Sequence, residues 1–175
     1  TYNLVKELMD YEKKNKKKIK LIHMSSDAVY ASQKGNYSET DQLKPYNVYG
    51  YTKLASEFFV RFLKKYIIIR TRFFMKNKIK FKKSATDIFT SNIEVDDLVK
   101  KIKMISTKNF VGTINIGLKR HSDYNAYKKY KLNLRPCKRK DIIKNLAVTL
   151  AKDSSMNLNL LKKMERNKLW KKKLS

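Results

Sequence analysis

The sequence predicts an α/β fold, a parallel sheet covered by helices, on three observations. Ile19 to Met24 and Tyr66 to Ile69 are short apolar runs bounded by polar residues, the pattern of strands buried on both faces. Each follows a stretch whose apolar residues recur at helical spacing. A long loop separates the first run from the second helical stretch, and the resulting order of helix, strand, loop, helix, strand is the alternation that builds parallel sheets.

Taken in order, Leu4, Val5, Leu8 and Met9, with Tyr11 beyond them, mark a first helix that Lys13 to Lys18 close. The strand Ile19 to Met24 follows, then a loop from Ser25 to about Val48. Between Tyr49 and Lys65, Leu54, Phe58 and Phe62 fall at i, i+4, as do Phe59 and Leu63, and predict a helix with one broad apolar face. Tyr66 to Ile69 is the second buried strand, and half of a Rossmann-like unit is then in place. After Arg70 the pattern is less regular. Val95, Leu98, Val99, Ile102 and Ile105 make a helix whose acidic start, Glu94, Asp96 and Asp97, suits its dipole. Thr113 to Ile116, after Gly112, reads as a strand. Asp141 to Leu146 and Leu158 to Lys171 read as short, basic, amphipathic helices.

With 175 residues, 42% of them hydrophobic, the chain can form one domain with a core of ordinary size. No apolar run approaches the ~20 residues of a membrane-spanning helix, and no apolar signal core follows a basic start, so a soluble, cytoplasmic protein without a membrane partner is expected. Cys137 is the single cysteine, which excludes an internal disulfide. With only His23 and His121 beside it, no zinc set is available and no metal is expected. The 42 basic and 15 acidic residues give a net charge of +27, a balance that attracts phosphate polyanions. The excess is nearly all lysine, spread along the chain, with seven arginines, whereas reading of phosphates and guanines favours arginine. A solvated basic surface therefore outweighs a nucleic-acid interface, although a basic binding module stays as an alternative function.

Tyr49 and Lys53 lie four residues apart at a helix start, so the phenol and the ammonium project from one face. An ammonium beside a phenol stabilises the phenolate and brings proton transfer closer to neutral pH. The spacing alone is weak evidence in a lysine-rich chain with 11 tyrosines, and Tyr127 with Lys131 repeats it by chance. Context strengthens the first pair. The strand Ile19 to Met24 runs into Ser25, Ser26 and Asp27, which places hydroxyls at the carboxyl end of a parallel strand, where open α/β sheets bind ligands. The structural alternative for the two serines is capping of the loop.

Several ordered segments carry a further resemblance: His23 to Tyr30 (HMSSDAVY), Tyr37 to Asp41 (YSETD), Pro45 to Glu57 (PYNVYGYTKLASE) and Ile68 to Thr71 (IIRT). Asn92 to Leu98, Gly112 to Gly117, Arg135 with Pro136, and Asp153 to Asn157 continue the series. Together they resemble extended short-chain dehydrogenases/reductases, and among these the dTDP-4-dehydrorhamnose reductase group and its nucleotide-sugar relatives in the epimerase/dehydratase superfamily.

The resemblance implies an NAD(P)-dependent reductase of a nucleotide-diphosphate sugar bearing a 4-keto group, with NADP or NAD as cofactor. It implies that Ser26 bonds the sugar ketone, that Tyr49 is the proton donor, and that Lys53 supports Tyr49 and holds the nicotinamide ribose. Asp27 falls where relatives touch substrate. Phe73 could face the sugar, with core packing as its plainer role, and Arg70 reads equally as a structural ion pair or a substrate contact. Residues 1–72 are expected to form a partial Rossmann-like NAD(P)-binding unit and 73–175 a small α/β substrate lobe, intermixed with the last Rossmann elements.

The glycine-rich turn that cradles a dinucleotide pyrophosphate is absent, since the four glycines are Gly35, Gly50, Gly112 and Gly117. The chain is therefore expected to be a fragment with weakened dinucleotide binding, from a parent that could be a homodimer. The stretch Thr71 to Ile93 also looks too short for the usual extra helix and strand of the substrate lobe. A nucleotide-sugar epimerase or dehydratase of the same fold is the alternative activity, with dehydration disfavoured because Ala28 and Val29 follow Asp27.

Overall fold

In a computed structural model, which describes residues 1–143 and 151–166, three parallel strands form the central sheet in the order β1 (Leu21–Met24), β2 (Tyr66–Thr71), β7 (Gly112–Ile116). Helix α1 (Tyr2–Asn15) precedes β1, and α2 (Val48–Val60) links β1 to β2. Between β2 and β7 come β3 (Phe73–Phe74), β4 (Lys83–Ala85), β5 (Phe89–Thr90), β6 (Ile93–Glu94) and α3 (Val95–Ser106). After β7 follow β8 (His121–Ser122), α4 (Asp123–Lys128), β9 (Arg135–Cys137), α5 (Arg139–Ile143) and α6 (Asn159–Arg166). Of the expected last two helices, positions 144–146 and 167–171 lie outside the described residues. No described helix is long and apolar enough to cross a membrane.

The sheet is covered on both faces, which is why its strands read as continuous apolar runs. Ile67, Ile69, Ile114 and Ile116 pack with Leu98 and Ile105 of α3 and Leu161 of α6. Ile68 faces the other way, onto Val5 of α1 and Val60 and Leu63 at the end of α2. A separate cluster of Ala126, Tyr127 and Leu134, joined by Phe74, Ile79 and Tyr124, forms the core of a small lobe. That lobe is tied together by pairings only two or three residues long, β3 with β6 and β4 with β9 in parallel, β5 with β8 antiparallel. Segment 71–93 thus holds β3, β4 and β5 and runs into β6, all of them two or three residues long.

Two helices depart from the apolar faces expected of them. Of the face expected on α2, Leu54 and Phe59 pack against the core and Leu63, just past the helix, is buried, but Phe58 and Phe62 are exposed and meet edge-on with ring centroids 5.3 Å apart, and the helix buries Gly50, Glu57 and Val60. A charged residue takes the inward position because Arg70, inside the sheet, supplies its counter-charge. In α1 only Val5 and Glu12 are buried, and Leu4, Met9 and Tyr11 face outward. Glu12 accepts from the Ile19 backbone N–H at 2.8 Å and pairs with Lys18, which fastens the helix to the start of the strand segment.

Candidate active site

A cavity of about 1020 Å³ opens at the carboxyl ends of β1 and β2, the position at which open parallel sheets take ligands. Ser25 and Ser26 enter it as the chain leaves β1, Thr71 and Arg72 as it leaves β2, and Tyr49 and Lys53 face it from the first turns of α2. The opposite wall comes from β4, with Ser84 and Ala85, and from α3, with Val95, Val99 and Ile102. The three residues expected to act together, Ser26, Tyr49 and Lys53, therefore share one cavity.

Ser26 has an extended backbone and caps the short 3-10 turn Asp27–Val29. Its hydroxyl accepts from the Ala28 N–H at 3.1 Å and donates to Asp27 Oδ1 at 3.2 Å. Asp27 is buried and accepts from the Ser154 hydroxyl at 2.8 Å through its other oxygen. Burial pushes the Asp27 carboxyl above the ordinary aspartate range, against the opposing charge of Arg72. Ser25 takes a different role: its hydroxyl donates to buried Glu57 at 2.6 Å.

The start of α2 is held against that turn. Asn47 caps the helix by accepting from the Gly50 N–H at 2.8 Å. A Cβ on Gly50 would sit 2.3 Å from the Ala28 carbonyl oxygen and 2.8 Å from Pro45 Cβ, so the absence of a side chain there is what lets the helix approach. One turn later, Lys53 Nζ lies 5.8 Å from the Tyr49 ring centroid and donates to the Met24 carbonyl at the end of β1 at 3.2 Å. Tyr49 is 55% exposed and lines the cavity.

Phe73 is half-exposed and lines the cavity, so it does not take the core-packing role. Its neighbour Phe74 takes that role instead, meeting Tyr127 edge-on at 4.9 Å, as alternation along a strand requires. Arg70 resolves to a structural part: it is buried, forms a two-pronged pair with Glu57, and also donates to the Tyr30 hydroxyl at 3.0 Å.

Sequence reasoning missed Thr71, Arg72, Tyr46, Asp123 and Ser154, all of which line the cavity. Arg72 Nη2 lies 3.5 Å from Asp123 Oδ2. Burial pushes the Asp123 carboxyl up, and so does the charge of Asp27, with Arg72 opposing both. Thr71 and Arg72 were discoverable by the rule that singled out Ser26, since both stand at the carboxyl end of a parallel strand. Asp123 lies in no motif, and Ser154 stands in the segment Asp153 to Asn157 without a sign that it would reach Asp27 from 127 positions away.

Comparison with known proteins agrees with this fold. Residues 11–96 match the family described as the RmlD substrate binding domain. No curated protein matches the sequence significantly. Among solved structures, a dTDP-4-dehydrorhamnose reductase from Bacillus anthracis in complex with NADP is 24% identical, with a TM-score of 0.69 over 82% of this chain and 58% of that one. A hypothetical dTDP-4-dehydrorhamnose reductase from Sulfolobus tokodaii is 23% identical, with a TM-score of 0.73 over 91% and 62%. A dTDP-glucose 4,6-dehydratase from Bacillus anthracis in complex with NAD is 17% identical, with a TM-score of 0.67 over 92% and 60%. The chain thus spans less than two thirds of each of these structures, and at these identities the likeness establishes the fold. Over residues 11–96 the chain is thus similar in sequence to the RmlD substrate binding domain, and over most of its length it shares the fold of dTDP-4-dehydrorhamnose reductases and of an NAD-bound dehydratase.

Proposed function

We propose that this chain carries the proton-transfer and sugar-binding half of an NAD(P)-dependent reductase acting on a nucleotide-linked 4-keto sugar such as dTDP-4-dehydrorhamnose. The observation that carries the reading is the convergence of Ser26, Tyr49 and Lys53 on one cavity at the ends of parallel strands. In this reading Tyr49 donates a proton to the carbonyl oxygen, and the Ser26 hydroxyl turns from its long bond with Asp27 to donate to the same oxygen. Negative charge developing on that oxygen meets donors already in place. Lys53 adds positive charge beside the phenol. In this reading residues 1–72 are the partial Rossmann-like unit and 73–175 the substrate lobe intermixed with the last Rossmann elements, a division supported by β7, α3 and α6, which join or cover the central sheet.

The residues present fit the nicotinamide end of a dinucleotide. Lys53 spends one hydrogen bond on Met24 and has further N–H groups for ribose hydroxyls, and the Tyr49 ring, with its centroid 5.8 Å from Nζ, lines the same cavity. When bound, reduced NAD(P) supplies the hydride to the keto carbon. The chain contains no glycine-rich turn for the pyrophosphate, so that part of the dinucleotide is not held by a motif in these residues.

The test is consumption of NADPH or NADH with dTDP-4-dehydrorhamnose as acceptor, for the chain alone and fused behind the glycine-rich segment of a reductase relative. Tyr49→Phe is expected to lower turnover by about 10²- to 10⁴-fold, the usual contribution of a positioned proton donor. Undiminished turnover in that variant overturns the reading. Conversion of the sugar without net cofactor consumption supports an epimerase or dehydratase instead.

A further inference from the structure

Two buried side-chain oxygens lack a hydrogen-bond partner among the described residues, Thr71 Oγ1 and Asp123 Oδ1, and both belong to residues lining the cavity. Thr71 is 3% exposed and Asp123 8%. Buried polar groups left unpaired are costly, and native proteins keep few of them, so two at one cavity call for an explanation. Their surroundings show why neither is satisfied from within. Thr71 is the last residue of β2, where its backbone is engaged by β7 and its side chain stands at the cavity rim. Asp123 uses its other oxygen for Arg72 at 3.5 Å, and its second oxygen has no hydrogen-bond partner among the described residues.

Chemistry restricts what can complete them. Asp123 accepts hydrogen bonds when ionised, and with Asp27 nearby it repels an anionic group. A phosphate or carboxylate is therefore a poor occupant at this corner, and a neutral group rich in O–H donors is a good one. The Thr71 hydroxyl both donates and accepts, which suits a hydroxyl on the same ring. Arg72, paired with Asp123, lines the same cavity as Ser26, Asp27 and Tyr49, so a ring presented to Ser26 and Tyr49 shares that cavity with Thr71 and Asp123.

We propose that Thr71 and Asp123 are specificity-determining residues that read ring hydroxyls of the sugar bound in this cavity. The inference rests on the nucleotide-sugar reading above and adds two residues to it. They select a hydroxyl pattern on the hexose and leave the nucleotide to other walls.

The experiment is calorimetric titration of the full chain with dTDP-glucose and with dTDP, taking the ratio of the two dissociation constants as the contribution of the hexose. The variants are Thr71→Val, which keeps shape, and Asp123→Asn and Asp123→Leu, which weaken or remove the acceptor. Each of Thr71→Val and Asp123→Leu is expected to reduce the hexose contribution about tenfold or more while the dTDP constant stays unchanged. Asp123→Asn is expected to fall between wild type and Asp123→Leu. Because the Thr71 hydroxyl has no hydrogen-bond partner among the described residues, Thr71→Val should keep or raise the melting temperature, which a hydroxyl of structural importance would not allow. An unchanged hexose contribution in both Thr71→Val and Asp123→Leu overturns the inference alone, as does a fall in melting temperature of Thr71→Val with binding intact. Failure of the wild-type chain to bind either probe overturns the nucleotide-sugar reading, and this inference with it.

Discussion

Glu57 and Arg70 form a two-pronged ion pair inside the fold, with Arg70 Nε 2.9 Å from Glu57 Oε1 and Arg70 Nη2 2.7 Å from Glu57 Oε2. The pair links α2, which carries Tyr49 and Lys53, to β2, which ends at Thr71. Side-chain exposure is 1% for Arg70 and 0% for Glu57, so neither charge can fall back on water if the other is removed. Glu57→Ala should therefore cost about 3–5 kcal/mol of stability. The double replacement Glu57→Leu with Arg70→Met should recover most of that loss, since well-packed apolar residues often replace a buried pair without cost. Urea denaturation of the wild type, the single and the double variant checks both.

The same pair gives stability a pH dependence of known sign. Burial alone would raise the Glu57 carboxyl, but hydrogen bonds and charge from Arg70, with help from Ser25 and Arg61, hold it below the usual range. A lowered folded value means that its contribution is complete above the unfolded glutamate value of about 4.3 and is lost as pH falls through the folded value. Glu57→Gln should flatten the acid limb of stability against pH, as read by denaturant midpoints over a descending pH series.

Arg72 should show the opposite dependence. Burial raises both Asp27 and Asp123, and Arg72 is the cation that opposes the shift in each. Raised carboxyls contribute stability that is present below their unfolded value of about 3.9 and lost as pH rises through the folded values. Removing the cation raises them further. Arg72→Met should cost about 1–3 kcal/mol at neutral pH, by leaving Asp123 unpaired, and progressively less as pH falls and the carboxyls take up protons. A penalty independent of pH would show that Arg72 acts by packing and not by charge.

Gly50 sets how closely the Tyr49 helix approaches the Ser26 turn. Gly50→Ala places a methyl 2.3 Å from the Ala28 carbonyl oxygen, a contact that only a backbone shift can relieve. The expected cost is about 1–3 kcal/mol, the usual range for overpacking, despite the better helix propensity of alanine. Thermal denaturation should reveal this, with turnover in the fused enzyme falling more than stability does because Tyr49 moves relative to Ser26.

Local sequence patterns suffice for the parallel-sheet framework and the residues of its first crossover. Apolar runs at Ile19 to Met24 and Tyr66 to Ile69 became β1 and the body of β2, and Thr113 to Ile116 became most of β7, because strands buried on both faces must be apolar throughout. Ser26, Tyr49 and Lys53 were legible for a related reason: strand ends and first helical turns fix where short segments point. The boundaries of α2 and its buried face were not legible, since Glu57 lies inside only because Arg70 arrives from another element. The same limit hid the small lobe, whose two- and three-residue strands have no period to detect, and it hid the corner formed by Thr71, Arg72 and Asp123. Tertiary structure alone decided that corner. Whether a carboxylate is paired, strained or free depends on charges that the chain brings together from distant positions, and no local pattern records them.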